Sequence, residues 1–323
     1  MMNPKPFMPE VMCMETPIPE FRQRHKPCQG GGFMNKVSLI KGKDRRRNIR
    51  KSLEQISDDI RKNLKPGRII IKPNFVSSSI QLAASHVDQI RGILDYLREF
   101  YKEKIIIAEA ACDDTTEAYK DFGYHNLLKE YNVELIDLNK GPFEKVHILD
   151  EKNRTIHVMV SSLLLDRNNY LISAAKLKTH DSVVVTLSIK NTAMGCIFTK
   201  DKIRVHQGVK HLNLNIAELS KSVWPDLAII DGFVGMEGNG PVDGSPIHAG
   251  VAVSGADPLA ADRVACELMG IDFNKVGYLR YCSEKGLGEA DLQQIEIVGH
   301  AFRECVMPFR LHSSVKEQYK WKD

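Results

Sequence analysis

Three cationic or potentially cationic side chains alternate with other residues in the stretch "AAKLKTH". Lys176, Lys178 and His180 stand at positions i, i+2 and i+4, and residues with that spacing project from the same face of a β-strand. Three such groups repel one another unless an anion or an acidic partner compensates their charge. We therefore predict that Lys176 binds substrate and that Lys178 and His180 are catalytic. The alternative is an edge strand whose lysines are solvated.

The segment that follows, "SVVVTLSIKNTAMG", is predicted to form a helix capped by Asp181 or Ser182, which are both favourable N-cap types. The far end of this helix would bring back Lys190 and Asn191. Lys190 is the third catalytic candidate, because crowded lysines lower one another's pKa until one becomes a base or a nucleophile. His180 would act as the general acid or base, and Asn191 would bind substrate.

Other polar residues follow neighbouring strands. "IIIKPN" ends in Lys72 and Asn74, "IIIAEA" ends in Glu109, and "LAIIDG" ends in Asp231 and Gly232. In open α/β sheets, ligands bind outside the carboxyl ends of the strands. Lys72 and Asn74 are therefore predicted to bind a carboxylate or a phosphate. A lysine that leaves the sheet for water beside a turn asparagine is the alternative.

The stretch "DGFVGMEGNGPVDGSPIHAG" holds six glycines in residues 231–250. Loops of that length in compact domains are usually either functional or disordered, and glycines let the backbone approach a ligand closely. The predicted substrate-binding residues of this loop are Gly238, Asn239 and Gly240. The carboxylates of Asp231 and Glu237 are predicted to bind a divalent metal ion. Neither a dinucleotide-binding fingerprint nor a Walker lysine motif is present.

Two histidines and one cysteine lie close by in the sequence. His206 is predicted to bind substrate, and with His180 and His211 it could complete a nitrogen-rich metal site, although no pair has the H-x-x-x-H spacing. Cys196 is either a nucleophile beside a histidine or a buried inert thiol.

Strand and helix patterns alternate along the chain. Isoleucine-rich strands such as "GRIIIKPNF" and "KIIIAEA" are separated by amphipathic helices, which predicts an α/β fold with a doubly wound, mostly parallel sheet covered on both faces. We predict one α/β domain over residues 34–302, with 34–142 and 143–302 as two lobes around a cleft in one interpretation. Residues 1–33 would be a flexible extension, with Met34 an alternative start, and 303–323 a C-terminal tail.

Composition limits the classes of function. The 323 residues carry a formal net charge of +4, which is too small to predict a nucleic-acid-binding face; the basic run 41–51 is interpreted as a solvated helix start. With neither a bilayer-length apolar stretch nor a secretory signal, the prediction is a cytoplasmic protein without a membrane partner. The seven cysteines are scattered without a C-x-x-C pair, which indicates reduced thiols.

Taken in this order, "IIIKPNFV", "IIIAEA", "AAKLKTHDSVVVTLSIKNTAMGC", "DGFVGMEGNGP" and "GADPLAADRVACELMG" resemble the domain of unknown function 362 family. The resemblance covers residues from Met34 to about Gly299. Many members of that family carry a ferredoxin-like module, and their names often mention iron–sulfur proteins. This sequence contains no such cysteine motif. The resemblance also places Gly195, His206 and Glu237 at characteristic positions of the family.

Two functional hypotheses follow. In the first, the chain is an enzyme that acts on a small anionic metabolite through its lysines and His180, with a divalent metal as an optional cofactor. In the second, it is a non-catalytic accessory protein that serves a redox partner by handling a metal or an iron–sulfur cofactor. RNA binding through residues 41–51 is a third and weaker interpretation. The sequence does not specify the oligomeric state.

Overall fold

The computed structural model describes residues 35–322. The strands within that range are β1 Asn35–Lys41, β2 Ile69–Lys72, β3 Ile105–Glu109, β4 Val133–Asp137, β5 Phe143–Leu149, β6 Thr155–Ser161, β7 Tyr170–His180, β8 Val184–Thr186, β9 Leu227–Glu237, β10 Ser245–Ile247, β11 Val251–Gly255 and β12 Ile295–Gly299. The α-helices in the same range are α1 Arg45–Glu54, α2 Ser57–Lys62, α3 Val87–Leu97, α4 Thr115–Asp121, α5 Leu127–Glu130, α6 Ser162–Leu165, α7 Ser188–Gly195, α8 Gly208–Ser222, α9 Pro258–Leu268, α10 Gly277–Glu284, α11 Phe302–Cys305 and α12 Val315–Gln318. Short 3₁₀ turns occupy Gln81–Ala83, Tyr124–Asn126, Leu138–Lys140, Thr199–Val205, Phe273–Lys275, Leu292–Gln294 and Tyr319–Lys322.

One large sheet runs in the order β12-β1-β11-β9-β7-β2-β3-β4, with β8 added to β7 and β10 added to β9. The pairs β1/β12, β2/β3, β2/β7, β3/β4 and β7/β9 are parallel. Strand β11 is antiparallel to both of its neighbours. Strands β5 and β6 pair antiparallel with each other in a separate two-stranded sheet. The α/β fold with a mostly parallel sheet is thus confirmed.

Helices cover both faces of this sheet, as predicted. Ile69 and Ile71 of β2 pack into one core together with residues of α1 and α3, whereas Ile70 packs into the opposite core. Helices α8, α9 and α10 contribute to that opposite core. Successive residues of a buried parallel strand point to opposite faces, and both faces are covered here. Every residue of such a strand can therefore be apolar, which explains the isoleucine runs.

The segment predicted as one helix after His180 is different in the structure. Val184, with Val185 and Thr186, forms β8, which turns back and pairs antiparallel with the end of β7. Consecutive β-branched residues pack well on a pleated sheet and lose side-chain freedom in a helix. The helix begins only at Ser188, so neither Asp181 nor Ser182 caps it.

The predicted extension 1–33 lies outside the described residues. Strands from both predicted lobes, 34–142 and 143–302, belong to the same sheet, and the division into domains stays a prediction. The residues after β12 fold back onto the body of the protein, and Trp321 is buried there. In the described range 35–322, no helix is both long enough and apolar enough to cross a bilayer.

Candidate functional site

The carboxyl ends of four parallel strands bring the predicted polar residues together. Lys72 at the end of β2 is in register with Ser173 of β7, and Lys176 of β7 is in register with Asp231 of β9. Glu109 ends the next strand, β3. The sheet edge expected to bind ligands therefore does collect the lysines.

Lys72 is fully buried and forms an ion pair with Glu109. Its Nζ also donates to the carbonyl oxygen of Pro73 at 2.9 Å and to Oδ1 of Asn191 at 3.3 Å. Burial lowers the pKa of Lys72 and raises the pKa of Glu109, and each charge opposes the other's shift. The charge of Lys72 is thus compensated from within the protein.

Asn191 connects this ion pair to the surrounding strands. Its Oδ1 accepts a hydrogen bond from Nδ2 of Asn74 at 3.1 Å. Its own Nδ2 donates to the carbonyl oxygen of Lys72 at 3.1 Å and to Oγ of Ser173 at 3.0 Å. Asn74 and Asn191, predicted to bind substrate, hold helix α7 against β2 and β7 in this structure.

Gly195 ends α7 directly beside Lys72. A Cβ atom at this glycine would overlap Cε and Nζ of the Lys72 side chain. The absence of a side chain here is what allows the helix and the buried lysine to approach so closely.

Lys176 is buried beside an irregularity in the sheet. Between the pairs Lys176/Asp231 and Lys178/Met236, one residue intervenes on β7, whereas the segment 232–235 intervenes on β9. This β-bulge frees the carbonyl oxygen of Val234, which accepts a hydrogen bond from Lys176 Nζ at 2.7 Å. Burial lowers the pKa of Lys176 to about 8, against the opposing effect of the Asp231 carboxylate.

Lys178 is fully buried on the same strand, two residues further along. Its Nζ donates to the carbonyl oxygen of Ala83 at 2.8 Å. Within residues 35–322, no carboxylate oxygen lies within 4.0 Å of this ammonium group. Burial, and after it the charges of Lys190 and Lys176, lowers the pKa of Lys178 well below its ordinary value. Lys178 therefore differs from Lys72, because it has no carboxylate partner that would compensate a positive charge.

Lys190, His180 and Asp181 form a chain of contacts at the outer end of β7. Lys190 Nζ lies 3.0 Å from Nε2 of His180, and His180 Nδ1 lies 3.0 Å from Oδ1 of Asp181. Burial and the Lys190 charge lower the pKa of His180 to about 3, so the ring is neutral at pH 7. Burial also lowers the pKa of Lys190 to about 8.

The tautomer of His180 follows from these partners. A charged Lys190 requires Nε2 to accept its proton, which leaves Nδ1 protonated and able to donate to Asp181. The N–H of Ser182, 3.1 Å from Nδ1, would be accepted only in the other tautomer, with an uncharged Lys190. The state of the lysine and the tautomer of the histidine are thus linked.

Asp262, which is not among the predicted site residues, anchors the helix that carries Lys190. Its two carboxylate oxygens accept hydrogen bonds from the backbone N–H groups of Ser188 at 2.8 Å and Ile189 at 3.0 Å. The residue is fully buried, and burial raises its pKa to about 7. A carboxyl group in the apolar helix "DPLAADRVACELMG" was the available signal.

The glycine-rich stretch 231–250 is shorter as a loop than predicted, because β9 continues to Glu237 and pairs with β10. Gly238 N–H donates to the carbonyl oxygen of Arg310 at 2.7 Å, and Asn239 Oδ1 accepts from Ser313 N–H at 3.4 Å. At Gly240 a Cβ atom would overlap the backbone oxygen of Thr179. In this structure the three residues predicted to bind substrate contact the end of β7 and the C-terminal segment.

Asp231 and Glu237, the predicted metal ligands, are each paired with an arginine. Asp231 Oδ2 lies 2.9 Å from Nε of Arg45, and Glu237 Oε1 accepts from Nε of Arg310 at 2.7 Å. No group of three or more His, Cys, Asp or Glu side chains arranged to hold a metal ion occurs in residues 35–322. The arrangement does not fit a divalent metal site.

His206 is exposed, and its Nδ1 lies 3.1 Å from the carbonyl oxygen of Lys202. Together with Asp181, Ser182 and the start of α8, it lines a cavity of about 310 Å³. His211 points elsewhere and contacts Oδ1 of Asn153 at 3.0 Å. The structure therefore places His206 on the same cavity as Asp181 and Ser182, which follow His180 in the chain, but it does not unite the three histidines.

The end of β7 is also held by the C-terminal segment. Val184, paired in register with His180, has a φ of 69°, a left-handed conformation that β-branched residues rarely adopt. Its N–H donates to Oε1 of Gln318, and Ser314 Oγ donates to the carbonyl oxygen of Asp181 at 2.9 Å. Backbone strain of this kind persists only where surrounding contacts impose it.

Comparison with known proteins identifies the family to which the chain belongs. The family model described as Domain of unknown function (DUF362) matches residues 69–267. The chain belongs to this family. The matched range contains Lys72, Glu109, the whole of β7, α7 and Asp262, so the buried network lies within the family domain of the DUF362 protein.

A curated relative is the thylakoid-associated protein sll1697 of Synechocystis sp. (strain ATCC 27184 / PCC 6803 / Kazusa). It is 24% identical to this DUF362 protein over 216 residues, which is 65% of this chain and 65% of the relative. The alignment thus spans less than two thirds of either protein.

The cysteines of the described part of this DUF362 protein are free thiols. Cys196, Cys266, Cys282 and Cys305 are buried, and Cys112 is exposed. Burial raises the pKa of Cys196 to about 12, which favours the inert-thiol interpretation over a nucleophile. No three of these thiols are grouped as cluster ligands within residues 35–322, so the described residues do not fit an iron–sulfur centre.

Proposed function

We propose that this DUF362 protein is an enzyme that binds a small carboxylate or phosphate metabolite and transfers a proton to or from it. Lys178 and Lys190 bind the anion, and Lys190 is the proton-transfer group. The observation that carries the proposal is the fully buried Lys178 ammonium, which has a carbonyl partner but no carboxylate within 4.0 Å in the described chain.

An uncompensated ammonium in a protein interior costs several kcal/mol. Without a ligand, Lys178 avoids that cost by losing its proton, in keeping with its strongly lowered pKa. A bound anion makes the charged form favourable again. The neighbouring cations Lys72 and Arg45 have carboxylate partners, so Lys178 is the cation best suited to an external anion.

Lys190 has the pKa that proton transfer at neutral pH requires, at about 8. The neutral ring of His180 accepts from it, and Asp181, whose side chain is 49% exposed, continues the chain of contacts toward solvent. In this proposal His180 accepts a hydrogen bond from the amine and orients it, instead of acting as an imidazolium acid. Lys72, Glu109 and the asparagines hold α7 in place.

Calorimetric titration with inorganic phosphate and with acetate, each in two buffers of different ionisation enthalpy, tests the proposal. We expect binding to be accompanied by proton uptake, because the anion restores the charge of Lys178. Lys178→Met should abolish the uptake. Lys104→Met removes an exposed lysine before the opposite end of β3 and should leave it intact. Binding without proton uptake, or uptake unchanged by Lys178→Met, contradicts the proposal.

A further inference from the structure

Lys202, a fifth lysine in addition to Lys72, Lys176, Lys178 and Lys190, contacts the segment that directly follows β3. The turn Thr199–Val205 places Lys202 Nζ 2.6 Å from the carbonyl oxygen of Ala110 and 3.8 Å from Sγ of Cys112. The turn is fixed to the same segment by Thr199, whose Oγ1 donates to the carbonyl oxygen of Ala111 at 2.8 Å. Asn139 secures it further by accepting from the Thr199 N–H at 3.0 Å.

The charge of Lys202 reaches the buried lysines. Its ammonium is partly exposed, and in residues 35–322 no carboxylate oxygen lies within 4.0 Å of it. It is among the groups that lower the pKa of Lys190 and of Lys72. Cys112 Sγ, in contact with Lys202, is also within electrostatic reach of Lys178 and Lys190. Contacts place Lys202 in the same neighbourhood. It bonds to Ala110, which directly follows Glu109, and the ion pair of Glu109 with Lys72 reaches Asn191, the residue beside Lys190. Lys202 and the exposed thiol thus lie close to lysines that lack a carboxylate partner in residues 35–322.

We propose that Lys202 forms an outer anion subsite next to Lys178 and Lys190, and that the ligand carries two anionic groups. This inference rests on the proposed function and specifies its substrate class, either a dicarboxylate or a phosphorylated carboxylate. The inner group binds at Lys178, and the outer group binds at Lys202 near Cys112.

The number of cations favours a ligand with two charges. A monoanion at Lys178 leaves the ammonium groups of Lys190 and Lys202 to repel each other in a partly buried space. A second carboxylate or phosphate compensates them and gains charge-assisted hydrogen bonds. Lys202 is the member of this set on the solvent side, so it distinguishes dianions from monoanions.

Alkylation of Cys112 by iodoacetamide reports on the surroundings of Lys202, whose Nζ lies 3.8 Å from the thiol. Cys112 is the exposed cysteine of residues 35–322, the other four being buried. The full chain with Cys13→Ser and Cys28→Ser removes the two cysteines outside that range. Protection of Cys112 by malonate is compared with protection by acetate at constant ionic strength, in this background and with Lys202→Met added. Lys200→Met, a change of an exposed lysine in the same turn, is the matched control.

We expect malonate to protect Cys112 at a concentration about tenfold lower than acetate, and we expect Lys202→Met, but not Lys200→Met, to abolish this advantage. Half-protecting concentrations are compared instead of rates, because the loss of an ammonium group also changes thiol reactivity. Equal protection by the two anions, or an advantage that survives Lys202→Met, overturns the outer subsite while the proposed function stands. Absence of both protection and proton uptake overturns the proposed function itself.

Discussion

Lys190 Nζ approaches Nε2 of His180 to 3.0 Å, so an ammonium group faces a ring that cannot take up a proton of its own at neutral pH. Replacing Lys190 with Met should raise the pKa of His180 from about 3 toward 6.5, because the repelling charge is lost while burial, the larger cause, remains. Titration of the ring by nuclear magnetic resonance measures the shift. An unchanged pKa would show that the Lys190 charge does not act on this ring.

Lys176 should make the free energy of unfolding depend on pH. Its pKa is about 8 when folded and about 10.5 when unperturbed, so the folded chain binds fewer protons between these values. Its contribution to stability therefore rises with pH across this window, by at most about 1.4 kcal/mol per pH unit.

The comparison of wild type with Lys176→Met isolates that contribution, because opposing effects of the buried thiols cancel in the difference. The stability advantage of wild type, measured by urea denaturation, should grow between pH 8 and pH 10. A difference that does not vary with pH would contradict the lowered pKa.

Glu109→Gln should destabilise the fold by about 3–5 kcal/mol, because it leaves the Lys72 ammonium buried without a counter-charge. The double variant Lys72→Met/Glu109→Leu removes both charges and should recover much of that loss. Urea denaturation of the three proteins provides the measurement. A double variant no more stable than Glu109→Gln would mean that the pair itself holds the strand ends together.

Gly195→Ala should destabilise the protein by about 1–3 kcal/mol, because the added methyl group overlaps the side chain of Lys72 and one of them must move. Gly208→Ala is a useful comparison: no atom lies within 4 Å of a Cβ there, so its cost comes from a φ of 79° alone. In the Lys72→Met/Glu109→Leu background, which lacks both buried charges, Gly195→Ala should cost less than in the wild type, because the overlapping lysine is absent. An equal cost in both backgrounds would contradict the overlap as its cause.

Asp262→Asn should cost about 1–3 kcal/mol, because an amide offers one oxygen acceptor to the two backbone N–H groups of Ser188 and Ile189. The substitution also removes a carboxyl group whose pKa is about 7 when folded and 3.8 when unperturbed. That raised pKa makes the wild type lose stability as pH rises from 4 to 7. The variant should lack this pH-dependent loss of stability, as measured by urea denaturation at several pH values. A pH profile identical to that of the wild type would contradict the raised pKa of Asp262.

Local pattern predicted the sheet and the alignment of its polar strand ends. Isoleucine runs identify strands buried on both faces, and parallel strands place Lys72 and Lys176 at one edge. The helix predicted across the three valines before Thr186 is wrong, because their β-branched side chains favour a strand. That signal was present in the sequence.

Partners distant in sequence could not be predicted. Asp262 caps a helix that begins 74 residues earlier, at Ser188, and Glu237 pairs with Arg310 across 73 residues. Such contacts depend on how helices and the C-terminal segment pack, which residue spacing does not encode. The types of residue at the site were therefore predictable, whereas whether each charge is compensated was not.

The bulge lies on β9 and leaves β7 regular. Two glycines of the inserted segment 232–235 are closely enclosed. A Cβ atom at Gly232 would lie 2.7 Å from Val251 and 2.9 Å from Leu177, and one at Gly235 would lie 2.8 Å from Phe309 and 2.9 Å from the carbonyl oxygen of Leu177. Side chains added at these positions would therefore push against the strand that carries the cationic residues, so that strand can keep its geometry only while both positions stay glycine.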